Sequence, residues 1–548
     1  MANITLVKSL GVLAKSSPFS VTTVSSRARD ELDEMKAWLF VQQDIEIDLR
    51  QLLKSLKGKE IVFLCGSSGD GKSEILTRCF SEFQQQYEFH LDATHSFAPH
   101  QSAIQALDEK FDEHKLGSKP LVLGINIGML ANYSNEGSIR HQEIKNSIDR
   151  FLSAQIDKST RPIADGSVYY LDFEQYPRFN FEQNSNSYSA FARTLLKRLT
   201  DSNINNPFFM AAQKDVELRR GDQRVLTNYK ILSLESVQEV IITQLFKARL
   251  IKDQFITTRA LLDLIHHLLL GRGYLFDNLF VGDDSELVSR LMEFDPIKIH
   301  TNELDQLVLT YELTLPDEPL NKFMDAMAKE GIFLERSNIK QGSAASLIRF
   351  FYLMKNEKFG NNYHHAFKFI FQEELLESYA NVWRLHNYFD NSSDKKREIK
   401  KFYSADLIQG IQRYANRNAP ILLNVKDELF LNSFGEIKLT APIDLKPDYD
   451  SIHNRSNIDS AHFMAYLKVG DKTIKPIVIN LNLFELLQRL KDGYRPNKYD
   501  KNAIVLLDEI IEQVTYMAKS SMTLKFYDGD VRYTVKQDEG MIVVNGSA

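Results

Sequence analysis

The chain has 548 residues, a formal net charge of −6 and two cysteines. Its length exceeds a single ordinary core and implies roughly two to four domains. The slightly acidic balance excludes a global basic field for nucleic acid, and two cysteines exclude a disulfide framework.

The pair Cys65 and Cys79 suits a reducing compartment. The opening Met1-Ala2-Asn3-Ile4-Thr5-Leu6-Val7-Lys8 lacks the basic, apolar and small-residue order of a secretory signal. No apolar run reaches membrane-spanning length. The expectation is a soluble, cytoplasmic protein without a membrane partner.

Residues 1–57 read as a helical lead-in, broken at Ser16-Ser17-Pro18 and Ser25-Ser26, with helices over 30–40 and 45–56. Strands are expected at 61–65, 87–92, 120–127 and 168–174, separated by helical spacing at 74–80, 102–114 and 139–154. This alternation predicts an α/β core over 58–185, three-layered, with a parallel sheet and helices on both faces. Helical period dominates 186–400, read as a lid or helical domain. Residues 401–548 read as an α+β domain. Its strands are expected at 421–425, 428–432, 437–439, 463–469, 474–480, 523–527, 531–535 and 541–544, with helices at 484–490 and 503–518. Asp528-Gly529-Asp530 and Asp538-Glu539-Gly540 supply turns between the last strands.

Between the first strand and the first core helix stands Gly66-Ser67-Ser68-Gly69-Asp70-Gly71-Lys72-Ser73, a complete G-x-x-x-x-G-K-[ST] loop, continued by Glu74. Glycines let the backbone bend so that successive N–H groups face phosphate oxygens, and the helix N-terminus adds partial positive charge. Lys72 would reach the β- and γ-phosphates, and the Ser73 hydroxyl would ligate Mg²⁺. ATP or GTP with Mg²⁺ is the expected ligand.

An NTPase also needs an acid on a neighbouring strand tip for the Mg²⁺ shell and a group to orient water. Asp172 is the leading candidate for the first and Glu174 for the second. The common strand order puts the metal-orienting acid on the third strand, where this chain has Asn126. Asp172 would then stand where additional-strand ATPases carry a γ-phosphate sensor. Asp92, ending the second strand, is a third candidate. Arg259, near a helix start, either senses the γ-phosphate from a lid or pairs with Asp263 at i+4.

Other constellations carry less. His266-His267 and His364-His365 are adjacent pairs, which point about 100° apart on a helix and chelate one ion poorly. Asp427 with Glu436-Ile437-Lys438 has the loose spacing of a metal nuclease, as does the helical Glu34-Met35-Lys36. The basic run Lys395-Lys396-Arg397-Glu398-Ile399-Lys400-Lys401, with Arg413 and Arg417, is either a solvated helix face or a contact for a phosphate backbone.

Four segments together resemble the DptF family: Leu13-Ala14-Lys15-Ser16-Ser17-Pro18-Phe19, the phosphate loop through Leu76, Asp92-Ala93-Thr94-His95-Ser96-Phe97, and Gly124-Ile125-Asn126-Ile127-Gly128-Met129-Leu130. The resemblance runs end to end. It implies a P-loop ATPase component of a bacterial DNA phosphorothioation-dependent restriction complex, with DptG and the helicase-like DptH as partners. The complex acts on DNA lacking the host's sulfur-modified backbone. The resemblance implies no catalytic residue beyond the loop. Two expectations follow: an ATP-hydrolysing subunit driving assembly on DNA, or a slowly hydrolysing nucleotide switch that recruits partners.

Overall fold

The computed structural model describes residues 4–14, 31–93, 101–153, 155–156, 160–181, 188–252, 255–282, 285–334, 343–422, 425–455, 460–519, 523–529, 531–538 and 541–547. The expected breaks at Ser16-Ser17-Pro18 and Ser25-Ser26, the segment 94–97 and the turn residues Asp530, Glu539 and Gly540 lie outside the described residues. The chain divides into two compact units. One is drawn from Met1–Asn180, Ser187–Arg249 and Gln254–Gln372, the other from Phe181–Asn186, Leu250–Asp253 and Glu373–Ala548.

The first unit begins with α1 (Leu6–Leu10), α2 (Glu31–Leu39) and α3 (Asp44–Ser55). There follow β1 (Ile61–Gly66), α4 (Lys72–Phe83), β2 (Glu88–His90), α5 (Ala103–Leu116), β3 (Leu121–Asn126), α6 (Ile127–Glu136), α7 (Gln142–Leu152), β4 (Ile163–Asp165) and β5 (Val168–Asp172). These strands form one sheet of order β2-β3-β1-β5-β4. β1 pairs in parallel with β3 and β5, and β2 in parallel with β3.

The expected all-parallel sheet is corrected at one edge, because β4 runs antiparallel to β5. Asp165 faces Val168 across a two-residue turn that starts at Gly166, whose φ of 64° is the left-handed conformation such tight hairpins need.

Each face of the sheet has its own core. On one side Phe63, Leu123 and Tyr170 pack with Phe111 of α5, Tyr133 of α6 and Ile148 of α7. On the other, Val62, Leu64 and Val122 pack with Leu49 of α3 and Ile75 and Leu76 of α4. The strands read as unbroken apolar runs because both faces are covered. Gly124 marks a tight approach between sheet and helix. A Cβ there would lie 2.7 Å from Leu76 Cδ1 and 2.7 Å from the Leu91 carbonyl oxygen.

After the sheet the first unit is helical: α8 (Ala190–Thr200), α9 (Pro207–Glu217), α10 (Gln223–Leu232), α11 (Glu235–Lys252) and α12 (Thr258–Leu270), then shorter helices. Ser189, Asn206, Asp222 and Thr257 accept first-turn N–H groups of α8, α9, α10 and α12, which fixes where those helices start.

The second unit holds a five-stranded antiparallel sheet with β6 (Glu428–Phe434), β7 (Ile437–Pro442) and three C-terminal strands, 523–528, 531–538 and 541–547. Helices Leu481–Lys491 and Lys501–Lys519 accompany it. The strand expected at 421–425 is not one. Pro420–Leu422 is a 3₁₀ turn, as a proline lacking an N–H at its start allows, and 423–424 lie outside the described residues. The stretch 463–469 is two strands, Phe463–Ala465 and Leu467–Val469, each in a separate small sheet. Among the described residues no helix is long and apolar enough to cross a membrane.

Candidate phosphate-binding site

Four parallel strands end at one edge of the first sheet, at His90, Asn126, Gly66 and Asp172 in spatial order. Open α/β sheets bind ligands outside the carboxyl ends of strands where the order reverses. Here that place is the tip of β1, where the glycine-rich loop begins.

The loop is wound around Lys72. Its Nζ donates to the carbonyl oxygens of Gly66 (3.1 Å) and Ser67 (2.7 Å) and to Asn126 Oδ1 (2.7 Å). Burial is the main influence on Lys72 and pulls its pKa below the usual lysine value, opposed by the negative charges of Asp70 and Asp92. Gly69 and Gly71 take φ of 86° and 95°, which favour glycine. Gly71 is also the N-cap of α4, so no side chain caps that helix and its first-turn N–H groups keep their affinity for an anion.

A cavity of about 640 Å³ opens beside the loop, lined by Ser68, Gly69, Gly71, Lys72, Ser73 and Glu74. Asp92 and Asn126 line the same cavity, and Val12, Leu39, Phe40, Val41, Phe191 and Leu195 give it an apolar wall. A glycine-rich loop with a buried lysine beside an apolar wall has a polar end and an apolar end, the division that a nucleotide's phosphates and base would require.

The candidate acids separate. Asp92 is exposed and lines the cavity. Asp172 is 4% exposed, lies level with Cys65 across β1 and β5, and accepts the Glu174 N–H at 3.1 Å as the cap of the 3₁₀ turn Phe173–Gln175. Asp92 and Asn126 are among the residues that line the cavity, and Asp172 and Glu174 are not. β5 stands on the far side of β1 from β3, and its last residue caps the 3₁₀ turn that follows.

Arg259 makes the i+4 pair with Asp263, one of its two expected placements. It lines the cavity and its backbone N–H donates to Gly69 O at 3.0 Å, while its guanidinium pairs with Asp263 (2.8 Å) and donates to Leu13 O. Glu74 pairs with Lys36 at 3.3 Å and Arg78 at 3.0 Å, and Lys36 also lines the cavity.

Sequence reasoning missed Arg178. It donates to Asp70 Oδ1 (3.0 Å), the Asp70 carbonyl (2.6 Å) and Gln43 Oε1 (3.1 Å). Its guanidinium lies over the rings of Phe173 and Phe191, at 5.0 and 5.6 Å. The other Asp70 oxygen accepts the Ser67 N–H at 2.6 Å. No motif spans the 108 positions between the partners, so no local signal marks this pair.

The remaining constellations do not assemble. Asp427 and Glu436 stand at opposite ends of the β6–β7 hairpin: Asp427 O accepts the Ile443 N–H, and Glu436 is in the turn where Phe434 faces Ile437. Seven strand residues separate them, about 23 Å. His364 and His365 Nε2 both approach the Glu357 carbonyl, at 3.0 and 2.9 Å. Among the described residues no group of three or more His, Cys, Asp or Glu is placed to hold a metal ion. Of the basic cluster, Arg413 donates to Leu490 O and Arg417 to Tyr414 O, both within the second unit.

No protein-family model, no curated protein and no solved structure matches the chain.

Proposed function

We propose that this chain is a P-loop NTPase that binds ATP with Mg²⁺ and hydrolyses it. The observation that carries the reading is the seating of Lys72 among Gly66 O, Ser67 O and Asn126 at the mouth of a 640 Å³ cavity with an apolar wall. Phosphate oxygens are stronger acceptors for an ammonium than carbonyls, so a polyphosphate takes over these contacts. The Ser73 hydroxyl and the Asp92 carboxylate are the oxygen donors suited to Mg²⁺, which neutralises phosphate charge when bound. Asn126, which accepts from Lys72, would orient its ammonium toward the γ-phosphate, and Arg259 at the start of α12 would border the site.

From the resemblance to the DptF family we infer the setting: a cytoplasmic ATPase subunit of a DNA phosphorothioation-dependent restriction complex against phage. DptG and DptH are its partners, and DNA is engaged directly or through them. Turnover stimulated by DNA or by these partners is expected.

A second reading is a nucleotide switch that hydrolyses slowly and recruits partners. It is favoured by one observation, that the tip of β3 beside Lys72 carries the amide Asn126 instead of an acid. Steady-state ATP hydrolysis, with and without duplex and single-stranded DNA and beside Lys72→Ala, separates them. DNA-stimulated turnover absent from the variant supports the motor. Tight binding with negligible turnover in every condition supports the switch, and no binding at all overturns both.

A further inference from the structure

The phosphate loop contains a buried acid whose carboxylate lies behind the residues that line the cavity. Asp70 stands between Gly69 and Gly71, and its side chain is 6% exposed. A lone carboxylate there repels the ligand that the loop is built to hold, since like charges a few ångströms apart in a poorly hydrated site interact strongly. Its field also reaches Lys72.

The structure answers this with a second buried charge. The Arg178 side chain is 7% exposed and places one guanidinium N–H on Asp70 Oδ1 and another on the Asp70 carbonyl. Its third contact is to Gln43, which lines the cavity. The remaining oxygen of Asp70 holds the Ser67 N–H. Gly66 fits the same arrangement, because a Cβ there would meet Asp70 Oδ2 and Phe173 at 2.8 Å each. Asp70 therefore acts as an internal strut of the loop, and among the described residues Arg178 is the only cation hydrogen-bonded to its carboxylate.

Resting on the nucleotide reading of the cavity, we propose that Arg178 is a positioning residue for phosphate affinity: it offsets the charge of Asp70 and fixes the loop backbone, so that Asp70 opposes an incoming polyphosphate less. Its contribution then scales with the number of phosphates on the ligand. The nucleoside itself, held on the apolar wall, is indifferent to it. The contribution is also conditional on Asp70 being charged.

The test is a set of equilibrium titrations of the full chain with adenosine, ADP and ATP. Arg178→Gln is expected to weaken ATP binding roughly tenfold or more, ADP less, and adenosine within about twofold. Asp70→Asn in the Arg178→Gln background keeps an acceptor for the Ser67 N–H while removing the charge, and is expected to restore ATP affinity to within about threefold of wild type. Equal losses for adenosine and ATP, or no rescue by the second substitution, overturn the inference, because both are what a packing role predicts. If Arg178→Gln does not fold by circular dichroism, Asp70→Asn alone decides. With Arg178 left in place it is expected to tighten ATP more than adenosine, and unchanged or weaker ATP binding overturns the proposal. A wild-type chain that binds neither ATP nor GTP overturns the nucleotide reading and this inference with it. A wild type that binds, beside an Arg178→Gln that binds ATP equally well, overturns the inference alone.

Discussion

The two strands that flank β1 end in polar residues of similar size, yet the ends do different work. Asn126 at the tip of β3 is the N-cap residue of α6, but its amide oxygen is given to Lys72. Asp172 at the tip of β5 gives its Oδ1 to the backbone N–H of Glu174 in the turn that follows it. The difference lies in what the chain does next. β3 passes directly into a helix and leaves its last side chain at the cavity, whereas β5 bends into a 3₁₀ turn that needs a cap. What β5 delivers to the loop comes later, through Phe173 and Arg178, which pack against Gly66 and Asp70. A strand tip is thus a candidate position, and the following turn decides whether its side chain is free for chemistry.

The comparison can be broken by substitution. Lys72→Ala removes the group on which the β3 side converges and is expected to lower ATP turnover roughly a thousandfold in a steady-state assay. Asp92→Asn is expected to lower Mg²⁺-dependent turnover roughly a hundredfold, with ATP binding in the absence of Mg²⁺ retained. Asn126→Ala releases one of three anchors on Lys72 and is expected to weaken ATP binding roughly tenfold by calorimetry. On the β5 side, Asp172→Asn is expected to keep turnover within about twofold and to shift denaturant unfolding by only a few tenths of a kcal/mol, since asparagine caps about as well as aspartate. A collapse of turnover in Asp172→Asn with Asp92→Asn unaffected would reverse the assignment of the two sides.

The smallest effect is on pH. Burial holds the Lys72 pKa below the ordinary lysine value, so the charged form that phosphate prefers is lost earlier as pH rises. ATP affinity is expected to fall on the alkaline side at a lower pH than an unperturbed lysine would give, and Lys72→Arg is expected to flatten that fall, since a guanidinium stays charged. Titrations from neutral to alkaline pH read this directly.

Much of the first sheet is legible in the sequence because its strands are continuous apolar runs and its loop is contiguous. Gly66 to Ser73 need no tertiary information to be recognised. The hairpin of β4 and β5 is not legible, since Ile163–Asp165 is three residues long and is set by Gly166 after it. The run at 421–425 looks like a strand by composition, but Pro420 opens a 3₁₀ turn instead. Asp92 and Asn126 are visible as strand-end residues. That they line the cavity while Asp172 caps the turn Phe173–Gln175 depends on the sheet order and on that cap, neither of which a single strand encodes. Arg178 lacks any local signature, because its meaning depends on a partner 108 positions away.

The central claim is that the cavity beside Lys72 takes a nucleoside triphosphate. Its most direct test is an equilibrium titration of the purified chain with ATP, beside Lys72→Ala of demonstrated fold. Saturable, stoichiometric binding that the substitution weakens roughly a hundredfold is the result the account predicts. Equal binding by both proteins, or none by the wild type, would contradict it.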